Sequence, residues 1–217
     1  LIFLCKSMTK IINSLSEISD QYEALFVDLW GCVHDGVRAY AAANKALTKY
    51  RSKGGKVILV TNSPKPCAEV EKQLHSFGVA KEAWDSIASS GESARIAMYQ
   101  GIVGRKVYFI GEDRDLPFFQ PPEILESPRE IQLVSLEKAE GIVCTGPFNP
   151  KVSPEKMLPQ LFYAKQRGLK LLCVNPDIVV DRGHIREWCA GSLAIIYSKI
   201  GGESLYFGKP HFPIYDL

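Results

Sequence analysis

An α/β fold built on a parallel sheet is what this sequence predicts, on two observations. Short apolar runs alternate with helix-length segments, the order that produces parallel strands joined by crossover helices. Three of those runs also end in a group able to do chemistry. Ala24-Leu25-Phe26-Val27 leads into Asp28, Lys56-Val57-Ile58-Leu59-Val60 into Thr61-Asn62-Ser63, and Leu205-Tyr206-Phe207 into Gly208-Lys209-Pro210. Open α/β sheets bind their ligands at the carboxyl ends of strands, so an Asp, a Thr and a Lys are expected to converge on one pocket.

The elements follow in order. Residues 24 to 28 make a first strand. Ala41 to Lys53 makes a helix, with Ala43, Leu47 and Tyr50 spaced by four and three along one face and Gly54-Gly55 as its stop. A second strand spans 56 to 60. Pro64 and Pro66 suit a helix entry, and Cys67 to Phe77 continues to the terminator Gly78. Ser86-Ile87-Ala88 reads as a short strand, Ser89-Ser90-Gly91 as a turn, and Glu92 to Tyr99 as a helix.

From Lys106-Val107-Tyr108-Phe109-Ile110 onward the style changes, with the breakers Pro117, Pro121 and Pro122, so a second, smaller unit is expected to begin near residue 103. It contains Ile142-Val143-Cys144-Thr145-Gly146, a helix over Pro154 to Arg167, and a strand over Lys170 to Val174 that enters Asn175-Pro176-Asp177. A last helix, Ser192 to Ile200, stops at Gly201-Gly202 and feeds the final strand. Residues 1–102 and 191–217 are expected to form the main unit and 103–190 the inserted one. No internal repeat or low-complexity tract is present.

The chain has 217 residues, 46% of them apolar, enough for one good-sized domain or a domain with an insertion. With 26 basic against 24 acidic residues and a formal charge of +2, it lacks the electrostatic footprint of a nucleic-acid binder, and small molecules are the expected partners. The six cysteines, at 5, 32, 67, 144, 173 and 189, form neither a Cys-x-x-Cys pair nor a zinc spacing, which reads as reduced thiols in a cytoplasmic protein. Cys32 is read as a small core residue. The apolar opening Leu1 to Cys5 is too short for a signal segment or a membrane span, and Met8 reads as a start, with the residues before it as an upstream remnant.

A carboxylate can attack phosphorus and form an aspartyl-phosphate, splitting a hard hydrolysis into two easier steps. Asp28 is the candidate nucleophile. Its charge repels an anionic substrate, so a cation is needed beside it, met by Lys209 and by a divalent ion on carboxylate, carbonyl and water oxygens. The Thr61 hydroxyl and the amides that follow it can hold phosphate oxygens. Each element alone reads equally well as structure: Asp28 and Thr61 as turn or cap residues, Lys209 as a solvated charge.

Together, in this order, Asp28, Thr61 and Lys209 resemble the haloacid dehalogenase (HAD) superfamily, whose motifs are an Asp-x-Asp turn, a strand ending in Thr or Ser, a Lys, and a late acidic pair. Gly31, Gly36, Thr61-Asn62-Ser63, Ser89-Ser90-Gly91, Asn175-Pro176-Asp177 and Phe207-Gly208-Lys209-Pro210 look like its class IIA branch, with an α/β cap between the second and third motifs. The resemblance implies a Rossmann-like core, a cap over 103–190, Mg²⁺-dependent phosphatase chemistry and a small phosphorylated metabolite as substrate, such as a sugar phosphate or nucleotide. It implies Asp28 as nucleophile, Lys209 as charge neutraliser, and Thr61 with Asn62 as the phosphate site. It also implies Asp28 and the backbone carbonyl of Trp30 as metal donors, Asn175 and Asp177 as cap residues facing substrate or as plain turn residues, and pairing of two copies through their caps.

Two departures stand out. The second Asp of the first motif, which exchanges a proton with the leaving group and then with water, is replaced by Trp30. Indole donates a hydrogen bond but exchanges no proton near neutral pH. Slow turnover is therefore expected, since His34 or Asp35 of the same loop could act as stand-ins only by folding back over several positions; the alternative is a phosphate-binding or regulatory protein that has lost turnover. Relatives with Asp-x-Trp form a class IIA subgroup that this chain resembles. The late acidic pair is also missing: only Asp216 follows Lys209, so the chain is expected to stop before that motif.

Overall fold

Residues 11–217 are described by the computed structural model; the apolar opening, Cys5 and the Met8 reading lie outside them. Strands β1 (Ala24–Val27), β2 (Lys56–Thr61) and β3 (Ser86–Ser89) form a parallel sheet in the order β1-β2-β3, with Phe26 opposite Ile58 and Ile58 opposite Ser86. Helices α1 (Ala41–Ser52) and α2 (Cys67–Ser76) cover one face, burying Leu47, Tyr50, Val70 and Leu74 against Val57 and Leu59 of β2. α1 buries Leu47 and Tyr50 of the face that predicted it and leaves Ala43 half-buried. Its end is fixed by packing: a Cβ on Gly55 would stand 2.4 Å from the Tyr50 ring, whose hydroxyl donates to the Tyr22 carbonyl at 2.7 Å.

A second parallel sheet has the order β10-β7-β6-β4-β5, from β4 (Lys106–Ile110), β5 (Gln132–Leu133), β6 (Gly141–Cys144), β7 (Lys170–Cys173) and β10 (Glu203–Tyr206). Successive residues of a strand face opposite sides, and a parallel sheet covered on both sides reads as a continuous apolar run. Accordingly Ile142 and Leu171 pack against Leu161 of α4 (Leu158–Gln166) and Leu193 of α5 (Ala190–Lys199). Val143 and Leu172 pack on the other side against Ala94 and Met98 of α3 (Ser90–Gln100). The expected helix over 154–167 splits, because Pro154 to Met157 forms a 3-10 turn before α4 begins.

α3 ties the two sheets together. Ser89 ends β3 and caps α3, its Oγ accepting from the Glu92 amide at 3.0 Å, and the Ser90 hydroxyl donates to the Val174 carbonyl just past β7. The expected turn at Ser89-Ser90-Gly91 is therefore the start of a helix. The side-chain cap competes with a turn and wins because the N-terminal amides need an acceptor. Gly91 is required there, since a Cβ would stand 2.3 Å from the Pro64 carbonyl oxygen.

The final strand also departs from expectation. β10 was expected to rejoin the first sheet with the rest of 191–217, yet it pairs in parallel with β7, Leu205 opposite Leu172. The physical reason lies in the connection: residues 174–202, which include α5, cross over from β7 and bring β10 back in parallel beside it. The chain returns to the first layer only after Tyr206. There the 3-10 turn Phe212–Asp216 buries Ile214 against Val60 and Ala88, and the Ser93 hydroxyl donates to the Pro213 carbonyl at 2.9 Å. The hairpin β8 (Val179–Arg182) and β9 (Ile185–Trp188), turning at Gly183 with φ +58°, completes the strands. Among the described residues no helix is long and apolar enough to cross a membrane.

Candidate active site

The ends of β1, β2, β7 and β10 meet at a cavity of about 770 Å³ that Asp28, Thr61, Asn62, Asn175, Asp177 and Lys209 all line. Asp28 follows β1 directly. The Leu29 amide and the Lys209 ammonium both donate to its Oδ1, and the same ammonium donates to the Val60 carbonyl at 2.9 Å. Lys209 thus spans from the end of β10 to β1 and β2. Thr61 is buried, its Oγ1 accepting from the Ser63 amide at 3.2 Å.

Asn62 is the hinge of the arrangement. Its Nδ2 donates to Asp177 Oδ1 at 2.8 Å and its Oδ1 accepts from the Lys209 amide at 2.6 Å, so its side chain joins the Asn-Pro-Asp turn to the lysine. Gly208 makes room: a Cβ there would lie 2.5 Å from Asn62 Oδ1. Asn175 is buried, and its Oδ1 accepts from the Asp177 amide at 2.9 Å, so its side chain builds the turn. Asp177 is reached by solvent, yet the protein packed around its carboxyl pushes its pKa up, against the pull of Asn62 and Lys209 and with Asp28 adding to the rise.

Trp30 is held from several sides. Its Nε1 donates to the Asp181 carbonyl at 2.9 Å, the Arg182 guanidinium stands 5.1 Å from the ring, and His34 meets it edge-on at 5.4 Å. A Cβ on Gly36 (φ +85°) would stand 2.4 Å from the indole, so a glycine is needed both for backbone and for space. The loop after β1 is therefore clamped to the tip of the β8–β9 hairpin.

The two stand-ins from that loop are engaged elsewhere. His34 is buried edge-on between Trp30 and Phe77, its Nδ1 accepts from the Gly36 amide at 3.0 Å, and burial pushes its pKa down. Asp35 Oδ1 accepts from the Arg38 and Val37 amides, which hold its carboxyl below the usual range. Cys32, expected in the core, is exposed. The core thiols lie elsewhere: burial pushes Cys144 and Cys173 well up and Cys189 up to about 12.

Residues that the strand-end pattern did not single out also line the cavity: Lys65, Arg114, Asp115, Asp181 and Arg182. Lys65 donates to Gln73 Oε1 at 3.2 Å, and burial followed by the nearby Arg114 pushes its ammonium pKa down. The available signal was Val179-Val180 followed by Gly183, a strand-and-turn pattern at 179–188.

Mg²⁺ is commonly held by one or two carboxylates, with phosphate and water completing its shell. Among the described residues both hydrogen bonds to the Asp28 carboxylate fall on Oδ1, which leaves Oδ2 for a cation. No group of three or more His, Cys, Asp or Glu side chains stands together among the described residues. The fit is therefore to the smallest donor set such an ion accepts.

A parallel-sheet core whose strand ends carry Asp28, Thr61 and a reaching Lys209 is the framework of the haloacid dehalogenase-like hydrolases, and a model of that family matches residues 25–120. The chain belongs to it: a haloacid dehalogenase-like hydrolase from Brucella suis is 39% identical, with a TM-score of 0.88 over 95% of this chain and 73% of that one. Phosphoglycolate phosphatase 2 of Arabidopsis thaliana is 26% identical over 91% of this chain and 71% of its own length. In fold the chain is similar to a glycerol phosphate phosphatase of Mycobacterium tuberculosis solved with magnesium, at 19% identity and a TM-score of 0.66 over 92% of this chain and 58% of that one.

Proposed function

We propose that this protein hydrolyses a small phosphate monoester through an aspartyl-phosphate on Asp28. The observation that carries the reading is the Lys209 ammonium on the Asp28 carboxylate, delivered from a different sheet into a cavity shared with Thr61. An ammonium there lowers the cost of bringing an anionic phosphate to an anionic nucleophile. The Thr61 hydroxyl and the amides after it suit the phosphate oxygens. Mg²⁺, held by Asp28 and the Trp30 carbonyl, would supply a Lewis acid for the phosphoryl oxygens. The phosphatase named among the relatives in sequence supports the same chemistry.

Trp30 favours a second reading, a protein that binds a phosphorylated ligand without consuming it, because its indole is engaged with Asp181 and exchanges no proton. Magnesium-dependent phosphate release from a panel of small esters, for the wild type and Asp28→Asn, separates the two. Release that falls at least about 10³-fold in Asp28→Asn is the expected result, as removing a nucleophile acts on every turnover. Binding without Asp28-dependent release overturns hydrolysis in favour of the second reading.

A further inference from the structure

We propose that Asp177 is the proton-exchanging group of this site, in the role that Trp30 cannot fill; the inference rests on the phosphatase reading above. The carboxylates lining the cavity divide by their partners. Asp28 faces Lys209, Glu112 faces Arg114, Glu187 faces Arg182, Asp181 faces Arg186, and Asp35 is tied to its own turn beside Arg38. Each of these carboxylates is already taken up by a cation or by its own turn. Asp115 and Asp177 remain, each held by a neutral group: Asp115 by the Thr145 hydroxyl at 2.7 Å, Asp177 by the Asn62 amide at 2.8 Å.

Position decides between them. Asn62 connects Asp177 to the Lys209 backbone, and the Lys209 side chain holds Asp28, so one amide side chain links Asp177 to the residue that touches the nucleophile. Asp115 belongs to the 3-10 segment Asp113–Phe119, and its hydroxyl partner follows β6. Asp177 is also fixed in place. Its amide donates to Asn175 Oδ1, its carbonyl accepts from the Gly191 amide at 3.1 Å, and a Cβ on Gly191 would stand 2.1 Å from the Pro176 carbonyl oxygen.

The charged and titratable groups around Asp177 are Lys209 and Asp28 on one side and the Cys173 and Cys189 thiols on the other. Both thiols are pushed up by burial and stay neutral, which leaves the Asp177 carboxyl as the acidic group on that side. Asp28 sits against an ammonium while burial raises Asp177, so the two carboxyls stand in the different environments that a nucleophile and an acid require.

The two steps balance. An Asp28 oxygen attacks phosphorus, the ester P–O bond breaks, and the leaving alkoxide takes the Asp177 proton and departs as the alcohol. Asp177, now a carboxylate, takes a proton from water as the water oxygen attacks the phosphorus of the aspartyl-phosphate. The P–O bond to Asp28 breaks, inorganic phosphate leaves, and Asp177 is again protonated.

The test compares the full chain with Asp177→Asn and Asp177→Glu on p-nitrophenyl phosphate and on an alkyl phosphate. An alkyl leaving group needs its proton and a nitrophenolate does not. Asp177→Asn is expected to lose about 10²- to 10⁴-fold in kcat on the alkyl ester, the range for lost acid–base help, and to accumulate phosphate on Asp28 with the aryl ester. Asp177→Glu is expected to restore part of the alkyl-ester rate with a shifted alkaline limb of the pH profile, the limb set by loss of the acid's proton. Equal losses on both esters, with no trapped phosphate and an unmoved limb, would reduce Asp177 to a turn residue while leaving the phosphatase reading intact. If Asp177→Asn melts early, Asp177→Glu decides by its limb alone: an unmoved limb overturns the proposal. No Asp28-dependent release by the wild type from either ester removes both claims together.

Discussion

The two parallel sheets deliver residues to one cavity from the same kind of place, yet they are stabilised differently. In the second sheet all four residues of β6 are buried, and helices cover both faces. In the first, β1 alternates between exposed and half-buried, with Phe26 70% exposed. Charge does part of the holding there: Asp85 takes two hydrogen bonds from the Arg51 guanidinium and one from the Val57 amide, tying α1 to β2 and to the entry of β3. The well-buried sheet makes a rigid support for Asn175-Pro176-Asp177 and for Lys209. The nucleophile sits on the more open one, so the geometry of the site depends on contacts that cross between them.

Cutting the strongest crossing contact is the severest challenge to that comparison. Lys209→Met removes the ammonium shared by Asp28 and the Val60 carbonyl, and phosphate release is expected to fall about 10²- to 10³-fold, the usual loss for one electrostatic stabiliser. An unchanged kcat would show that the second layer gives the nucleophile no electrostatic help. A smaller effect is expected from Trp30→Ala, which removes the hydrogen bond to Asp181 and the Arg182 contact. Together these are worth about 1–2 kcal/mol, or roughly 10-fold. The expected signature is a KM that rises by that factor while kcat holds, with faster amide exchange over residues 179–188. A fall in kcat alone would place Trp30 in the chemistry rather than in the clamp.

The least effect on activity, and a direct view of the difference between the layers, comes from acid. Hydrogen bonds from Arg51, then from the Val57 amide, hold the Asp85 carboxyl down at about 2, against an ordinary value near 4. For a depressed carboxylate the stabilisation is complete above the unfolded value and is lost as pH falls through the folded one. Urea midpoints should therefore drop between pH of about 4 and about 2 in the wild type, and Asp85→Asn should remove that component of the drop. Identical acid curves would mean that the ion pair does not hold the first layer.

How much of this was legible in the sequence depended on whether the determinant was local. The runs ending at Asp28, Thr61 and Lys209 showed themselves because apolar strands and the groups at their ends are contiguous in the chain. The Leu47–Tyr50 face of α1 showed itself through its spacing. The partner of β10 did not, since a strand's sequence records that it is buried and not which sheet buries it. Ser89-Ser90-Gly91 read as a turn because the same residues that favour turns also cap helices, and only the proximity of Pro64 distinguishes the two. Trp30 read as a loss, a missing carboxylate, because its partner Asp181 lies far along the chain in a hairpin whose only trace is Val179-Val180 and Gly183. The division between Asp177 and the other cavity carboxylates was out of reach for the same reason: it rests on which cation each one meets in space.

The most direct test of the account is to mix the wild-type protein with an excess of a reactive phosphate ester, quench within the first turnovers, and locate covalent phosphate by peptide mass. Phosphate on the peptide that contains Asp28, absent from Asp28→Asn, is the predicted result. Phosphate release without any adduct on Asp28, or release that persists in Asp28→Asn, would contradict the central claim.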